Sequence, residues 1–199
     1  INNYFNSKDF FKNFNKKAKI ITSCAMFYDL QNPKKFVKDI VKILDHDGLW
    51  CVQISYLLSM IKNMNFYDIC HEHLSYYSIK SFEKLIHPLG LKIVDLETNE
   101  VNGGSIRLYV CKKSCKKYDR IKNKLKIKNL KKKENKNKLE NKFTYYKFEK
   151  KIDNFKKLTK NYIDKIISLG GSVFGLGAST KGNILLQHFE LNKKQIPYI

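Results

Sequence analysis

The sequence predicts an α/β fold, and three observations carry that prediction. The apolar pair Ile20-Ile21 is followed by apolar residues at helical spacing and then by a second apolar run, Leu49 to Ile54. Strand, helix, strand in that order makes a βαβ unit with parallel strands. Further along, Gly103-Gly104 joins two strand-like segments, as in a hairpin. Near the end, an apolar segment enters a glycine-rich turn and a new helix, the opening of a second α/β unit.

In chain order, Lys19 to Ser23 reads as a short buried strand. Leu30, Phe36, Val37, Ile40, Val41, Ile43 and Leu44 recur at intervals of three and four, which predicts a helix over Asn32 to Leu44. Pro33 suits its first turn, and Asp47-Gly48 is a turn signal that ends it. Leu49 to Ile54 is the next strand. A loop dense in His, Tyr and acids, Met60 to Ser78, leads to a helix from Ile79 to His87, stopped by Pro88-Leu89-Gly90. Leu91 to Leu96 is a strand, and Ser105 to Cys111 alternates Ile106, Leu108 and Val110 with Arg107 and Tyr109. The expected sheet is mostly parallel and finishes in this hairpin at its edge.

From Lys112 to about Lys142 the composition turns to Lys and Asn with sparse Leu and Ile, the pattern of a solvated helix or a flexible linker. Beyond it, Ile152, Phe155, Leu158, Tyr162 and Ile166 predict a helix with one buried face, ended by Gly170-Gly171. Ser172 to Phe174 reads as a strand, and Leu185, Leu186 and Phe189 mark a further helix. The organisation expected is one α/β region over 1–111, a Lys-rich connector over 112–147, and a second α/β region beginning at 148–199.

With 199 residues and 43% hydrophobic content, the chain has enough apolar material for a packed core. Lys and Arg number 39 against 18 Asp and Glu, a net charge of +21. That excess invites a nucleic-acid-binding module centred on Lys112 to Lys160. Only Arg107 and Arg120 are arginines, however, and base and phosphate readers normally use the bidentate guanidinium. The abundance of Lys, Asn, Ile, Phe and Tyr points instead to an A/T-biased coding sequence. No apolar run approaches the roughly 20 residues of a membrane span. Five cysteines, an odd number, are expected as reduced thiols in a cytoplasmic protein. A start at Ile1 without a signal-peptide pattern and a stop just after a helix-like stretch suggest a piece of a longer polypeptide.

The richest chemistry lies in Tyr67-Asp68-Ile69-Cys70-His71-Glu72-His73-Leu74-Ser75-Tyr76-Tyr77. A neutral imidazole accepts a proton near pH 7, and a neighbouring carboxylate can orient it, so His73 with Glu72 is a candidate base pair. The same residues also fit a polar surface loop. Cys70, His71, Glu72 and His73 are all ligand types, but consecutive residues lack the spacing of structural zinc sites. Cys111 and Cys115 add only a weak pair, so no metal site is expected in this chain. Gly175-Leu176-Gly177-Ala178-Ser179-Thr180-Lys181-Gly182-Asn183 follows a strand-like segment and opens a helix, where backbone amides can meet an anion. It matches neither the dinucleotide fingerprint nor the Walker pattern, and a tight structural turn explains its glycines as well.

Taken together, Cys70-His71-Glu72-His73-Leu74-Ser75-Tyr76-Tyr77-Ser78, Asn102-Gly103-Gly104-Ser105-Ile106-Arg107 and Gly177 to Asn183 resemble the S-adenosylmethionine-dependent C-methyltransferases of nucleotide-linked keto-deoxysugars. The resemblance implies an N-terminal zinc-binding domain, a Rossmann-like class I methyltransferase domain and a C-terminal α/β domain. This chain would hold the second half of the middle domain and the start of the last, with zinc confined to the N-terminal domain that it lacks. The strand at Lys19 would be the fourth of the sheet and that at Leu49 the fifth, and the glycine-rich cofactor loop would lie upstream of Ile1.

The resemblance further implies that Ser23, Cys24 and Phe27 lie near S-adenosylmethionine. His73 would be the general base that forms an enolate from the sugar ketone, with Glu72 beside it. His71, Tyr76 and Tyr77 would donate to the enolate, Asn102 and Arg107 would contact the sugar nucleotide, and Ser179 and Lys181 would meet its diphosphate. Cys70 stands where the family often has Tyr, and Asn102 where it often has His. An inactive remnant of such an enzyme is the alternative on the same resemblance.

Overall fold

The computed structural model describes residues 3–198. Two compact units emerge: one comprises Ile1–Asn63 and Leu74–Leu139, the other Met64–His73 and Glu140–Ile199. The first carries, in chain order, α1 (Ser7–Asn13), β1 (Ala18–Cys24), α2 (Pro33–Ile43), β2 (Leu44–Ser55), α3 (Leu57–Lys62), α4 (Ile79–Ile86), β3 (Leu91–Asn99), β4 (Ser105–Lys112) and α5 (Ile121–Lys136). The second carries α6 (Lys142–Ser168) and α7 (Thr180–Phe189).

The α/β fold is as expected, with a four-stranded sheet in the order β1-β2-β4-β3. β1 and β2 run parallel across the α2 crossover, and α2 begins where Asn32 accepts from Lys35 N at 2.9 Å with Pro33 in its first turn. The hairpin forms too, but the sheet is not mostly parallel among the described residues. β4 inserts antiparallel between β2 and β3, leaving β3 on the edge. Period-two alternation decides which face is buried: Trp50, Val52 and Ile54 of β2 and Ile106, Leu108 and Val110 of β4 are all sealed from solvent. Phe27, Trp50 and Phe82 meet beneath them with ring centroids 5.4–5.9 Å apart. Each such side chain contributes roughly 1.5–3 kcal/mol by burial.

Asp47-Gly48 is not the turn expected between α2 and β2. β2 already begins at Leu44, and the pairing jumps from Ala18–Leu44 to Ile20–Leu49, so the intervening residues bulge within the strand. The local bend that Asp-Gly favours is therefore absorbed by the sheet. A Cβ on Gly48 would lie 2.8 Å from the Ala18 carbonyl, which leaves no room for a side chain there. Asp47 is held by the ammonium groups of Lys19 and Lys117, which keep its carboxyl well below the usual range.

The Lys-rich segment forms a docked helix. Ile127 is buried and Leu130 partly so in the main core, and α5 packs against β3. Glu134, only 2% exposed, accepts from Tyr56 Oη at 2.9 Å and from the backbone N–H of Ile79 at 2.7 Å. Its lysines stand outward, with Lys126 paired to Asp95 at 3.0 Å and Lys131 paired to Glu83.

In the second unit, the expected buried face of α6 is only partly realised. Phe148, Ile152 and Ile163 are buried, while Phe155, Leu158 and Tyr162 are 45%, 59% and 68% exposed. Ser172 to Phe174 does not form the strand expected, because this unit presents no strand among its described residues with which to share a ladder. No helix among the described residues is long and apolar enough to cross a membrane.

Candidate functional site

The His-rich loop is organised by the turn that precedes it. Phe66–Asp68 forms a single 3₁₀ turn, and Phe66 stacks on Phe189 of α7 with centroids 5.6 Å apart and planes at 22°. Asp68 is 2% exposed. A carboxylate so buried costs several kcal/mol unless a cation meets it, and Lys181 Nζ lies 2.6 Å from its Oδ1. The same ammonium sits 5.6 Å over the Tyr67 ring. The two motifs that the sequence presents separately, the His loop and the glycine-rich loop, thus meet through an ion pair inside the second unit.

His73 closes this loop. Its backbone N–H donates to Cys70 O at 3.1 Å, and its Nδ1 lies 2.8 Å from the Asp68 carbonyl oxygen. Glu72, the residue expected to orient it, has His71 Nε2 at 3.4 Å from its own carboxylate. The Cys70 thiol donates to Glu72 and is the main cause holding that carboxyl below its ordinary value. Burial, above all, pushes the Cys70 thiol upward. Glu72 is therefore a half-exposed carboxylate, and the Nδ1 contact of His73 is supplied by backbone.

His71 and Glu72 line a cavity of roughly 580 Å³ with Leu176, Ala178, Ser179 and Leu186, a size suited to a small ligand. Ser179 caps α7, its Oγ accepting from Gly182 N at 3.1 Å. The cavity offers apolar walls, a carboxylate–imidazole pair and the start of a helix within one unit.

The remaining expected residues fall in the first unit. Ser23 Oγ accepts from Trp50 Nε1 at 2.7 Å, and Phe27 is 0% exposed in the aromatic core. Both side chains are committed to packing, which leaves no free side chain at either position for the cofactor contact expected of it; Cys24 is exposed. Tyr77, 7% exposed, packs against Phe27 and Phe82 and is a core residue instead of an accessible enolate donor. Tyr76 is half-buried and Asn102 exposed, the latter in the left-handed region at φ 54°. Arg107 clasps Gln53 Oε1 at 2.9 and 3.2 Å and Glu97 at 3.4 Å. Asp45, His46 and Asp47 gather potential metal-ligating atoms, but Lys19 already pairs with both acids.

Asp68 and Glu134 are the important residues that sequence reasoning passed over. Asp68 stands between Tyr67 and Ile69, whereas Glu134 is a lone acid in a run of Lys and Asn, and only the tertiary partners make either legible.

Two family models match the chain: a methyltransferase domain over residues 2–96 and a C-methyltransferase C-terminal domain over residues 100–199. The C-methyltransferase NovU of Streptomyces niveus is 26% identical over 181 residues, 91% of this chain. The chain spans 42% of the length of that curated relative. Among solved structures, the mitomycin 7-O-methyltransferase MmcR is similar at 14% identity, with a TM-score of 0.42 over 52% of this chain and 32% of that one. An S-adenosylmethionine-dependent methyltransferase of Clostridium acetobutylicum is similar at 16% identity, with a TM-score of 0.38 over 50% and 60% of the two chains.

Proposed function

The chain belongs to the C-methyltransferase family whose C-terminal domain matches residues 100–199, and from that premise we propose that the polypeptide carrying it methylates a carbon of a nucleotide-linked keto-deoxysugar. The observation that carries this reading is His73, a half-buried imidazole with Nδ1 against a carbonyl, in a loop that also lines a cavity of substrate size.

In this reading His73 removes the proton on the carbon next to the sugar ketone, a step in which a positioned base is typically worth about 10²–10⁴-fold. The negative charge moves onto the ketone oxygen, where His71, exposed in the same loop, is the donor. Glu72, whose carboxylate lies 3.4 Å from His71 Nε2, orients that ring. S-adenosylmethionine, when bound, supplies the electrophilic methyl group that the enolate carbon takes. Of the residues expected to hold it, Cys24 is the exposed one, at the carboxyl end of the parallel β1–β2 pair where α/β sheets place ligands. Ser179 and Lys181 meet the nucleotide diphosphate: an ammonium has three N–H donors, so Lys181 can serve an anion while paired to Asp68.

Carbon-13 NMR of the products formed from methyl-labelled S-adenosylmethionine and a nucleotide-linked 4-keto-deoxysugar tests the proposal. A new methyl carbon bonded to a sugar ring carbon supports it. Label appearing only on oxygen, or no transfer, contradicts it.

A further inference from the structure

A carbonyl oxygen only accepts, so the 2.8 Å contact between Asp68 O and His73 Nδ1 is a hydrogen bond when Nδ1 carries the proton. The neutral ring then has its lone pair on Nε2. That carbonyl also accepts from Cys70 N at 3.1 Å, and α7 anchors the turn that carries it. Near its N-terminus Lys181 grips the Asp68 carboxylate at 2.6 Å, and at its C-terminus Phe189 stacks on Phe66, at the other end of the same turn. The turn is three residues long, so anchoring both ends leaves its last carbonyl little freedom to rotate.

We propose that Asp68 and Lys181 are a positioning pair that holds His73 in its Nδ1–H tautomer, leaving Nε2 as the atom that accepts the substrate proton. This deepens the reading of His73 as the base and rests on it. The pair does no chemistry on the substrate. It converts a buried charge into the orientation of a ring five residues along the chain. Lys181 consequently has two separable effects, one on diphosphate binding and one on the base.

Long-range proton–nitrogen correlation spectra of histidine-labelled protein, taken where the imidazoles are neutral, read the tautomer without any turnover. The expected spectrum has His73 protonated on Nδ1. In Lys181→Ala the signal shifts to a mixture of tautomers, and Lys181→Arg restores the original form; should Lys181→Ala fold poorly, Lys181→Gln gives the same readout. Under saturating substrate, Lys181→Ala lowers kcat on the order of 10²-fold, the scale of a small misplacement of a reacting group, in addition to raising KM. A wild-type His73 protonated on Nε2 overturns the proposal. So does a Lys181→Ala variant that raises KM alone with tautomer and kcat unchanged. A Lys181-dependent Nδ1–H tautomer in a polypeptide whose His73→Gln variant turns over normally upholds the positioning pair and overturns the base assignment, so the two failures are distinguishable.

Discussion

Tyr56 Oη donates to Glu134 at 2.9 Å, joining the end of β2 to a helix 78 residues further along the chain. The same carboxylate accepts from the N–H of Ile79 in the first turn of α4, so one side chain of the Lys-rich segment completes the methyltransferase-like unit. Removing it strands a buried hydroxyl and a buried amide. Glu134→Ala is expected to cost about 2–4 kcal/mol in urea unfolding, and Glu134→Gln clearly less, because the amide oxygen still accepts. Equal stability of Glu134→Ala and the parent would mean that α5 is not part of this unit.

Gly104 sits at φ +125°, and a Cβ there would lie 2.4 Å from Ser59 Cβ. Its carbonyl accepts from Tyr56 N, so it has no freedom to move away. Gly104→Ala combines backbone strain with a clash and is expected to lose roughly 2–4 kcal/mol. Thermal unfolding checks this, and a melting temperature within a degree of the parent would refute the packing described.

The cysteines should separate by reactivity. Burial, with Cys115 as a further cause, pushes the Cys111 thiol up to about 12, whereas Cys24 is exposed. At pH 8 a thiol near that value is ionised to about one part in 10⁴, and only the thiolate is alkylated. Iodoacetamide followed by peptide mass mapping should therefore label Cys24 first and Cys111 last, with Cys115, 7% exposed, also protected. Rapid labelling of Cys111 in folded protein would contradict its placement.

Ser7 Oγ donates to Asp39 Oδ1 at 2.6 Å, tying α1 to α2. Burial alone would raise the Asp39 carboxyl, but Ser7 and Lys35 outweigh it and hold the group below 3.8. A depressed value in the folded state means stability that is present above the unfolded value and lost as pH falls through the folded one. Ser7→Ala should cost about 1–2 kcal/mol at pH 7, and the gap to the parent should shrink in acid below pH about 4. A pH-independent gap would show that the charged form of Asp39 is not what Ser7 stabilises.

Much of the fold was legible because it is written in local periodicity. Ile40 and Ile43 follow the helical spacing, and Val52 and Ile54 follow the strand alternation. Asn32-Pro33 and Pro88-Leu89-Gly90 mark helix ends by their own stereochemistry. What escaped is tertiary. Asp47-Gly48 carries a turn signal whether it ends a helix or bulges a strand, and only the pairing with β1 decides. Ser172 to Phe174 has strand-like residues, but a strand needs a partner. The site divides in the same way. His71, Glu72 and His73 announce themselves by type, whereas Phe27 and Tyr77 are aromatic in either role, and the depth of the core assigns them to packing. Asp68 was visible as a residue, but its work depends on Lys181, more than a hundred positions away.

A His73 that takes the proton next to the substrate ketone also governs how fast that proton exchanges with solvent. The most direct test is the rate at which that proton exchanges into D₂O, followed by proton NMR for the parent and for His73→Gln in the polypeptide carrying this chain. With His73 as the base, exchange in His73→Gln is expected to fall about 10²–10⁴-fold with an unchanged unfolding temperature. Exchange at the parent rate in a folded His73→Gln variant would contradict it.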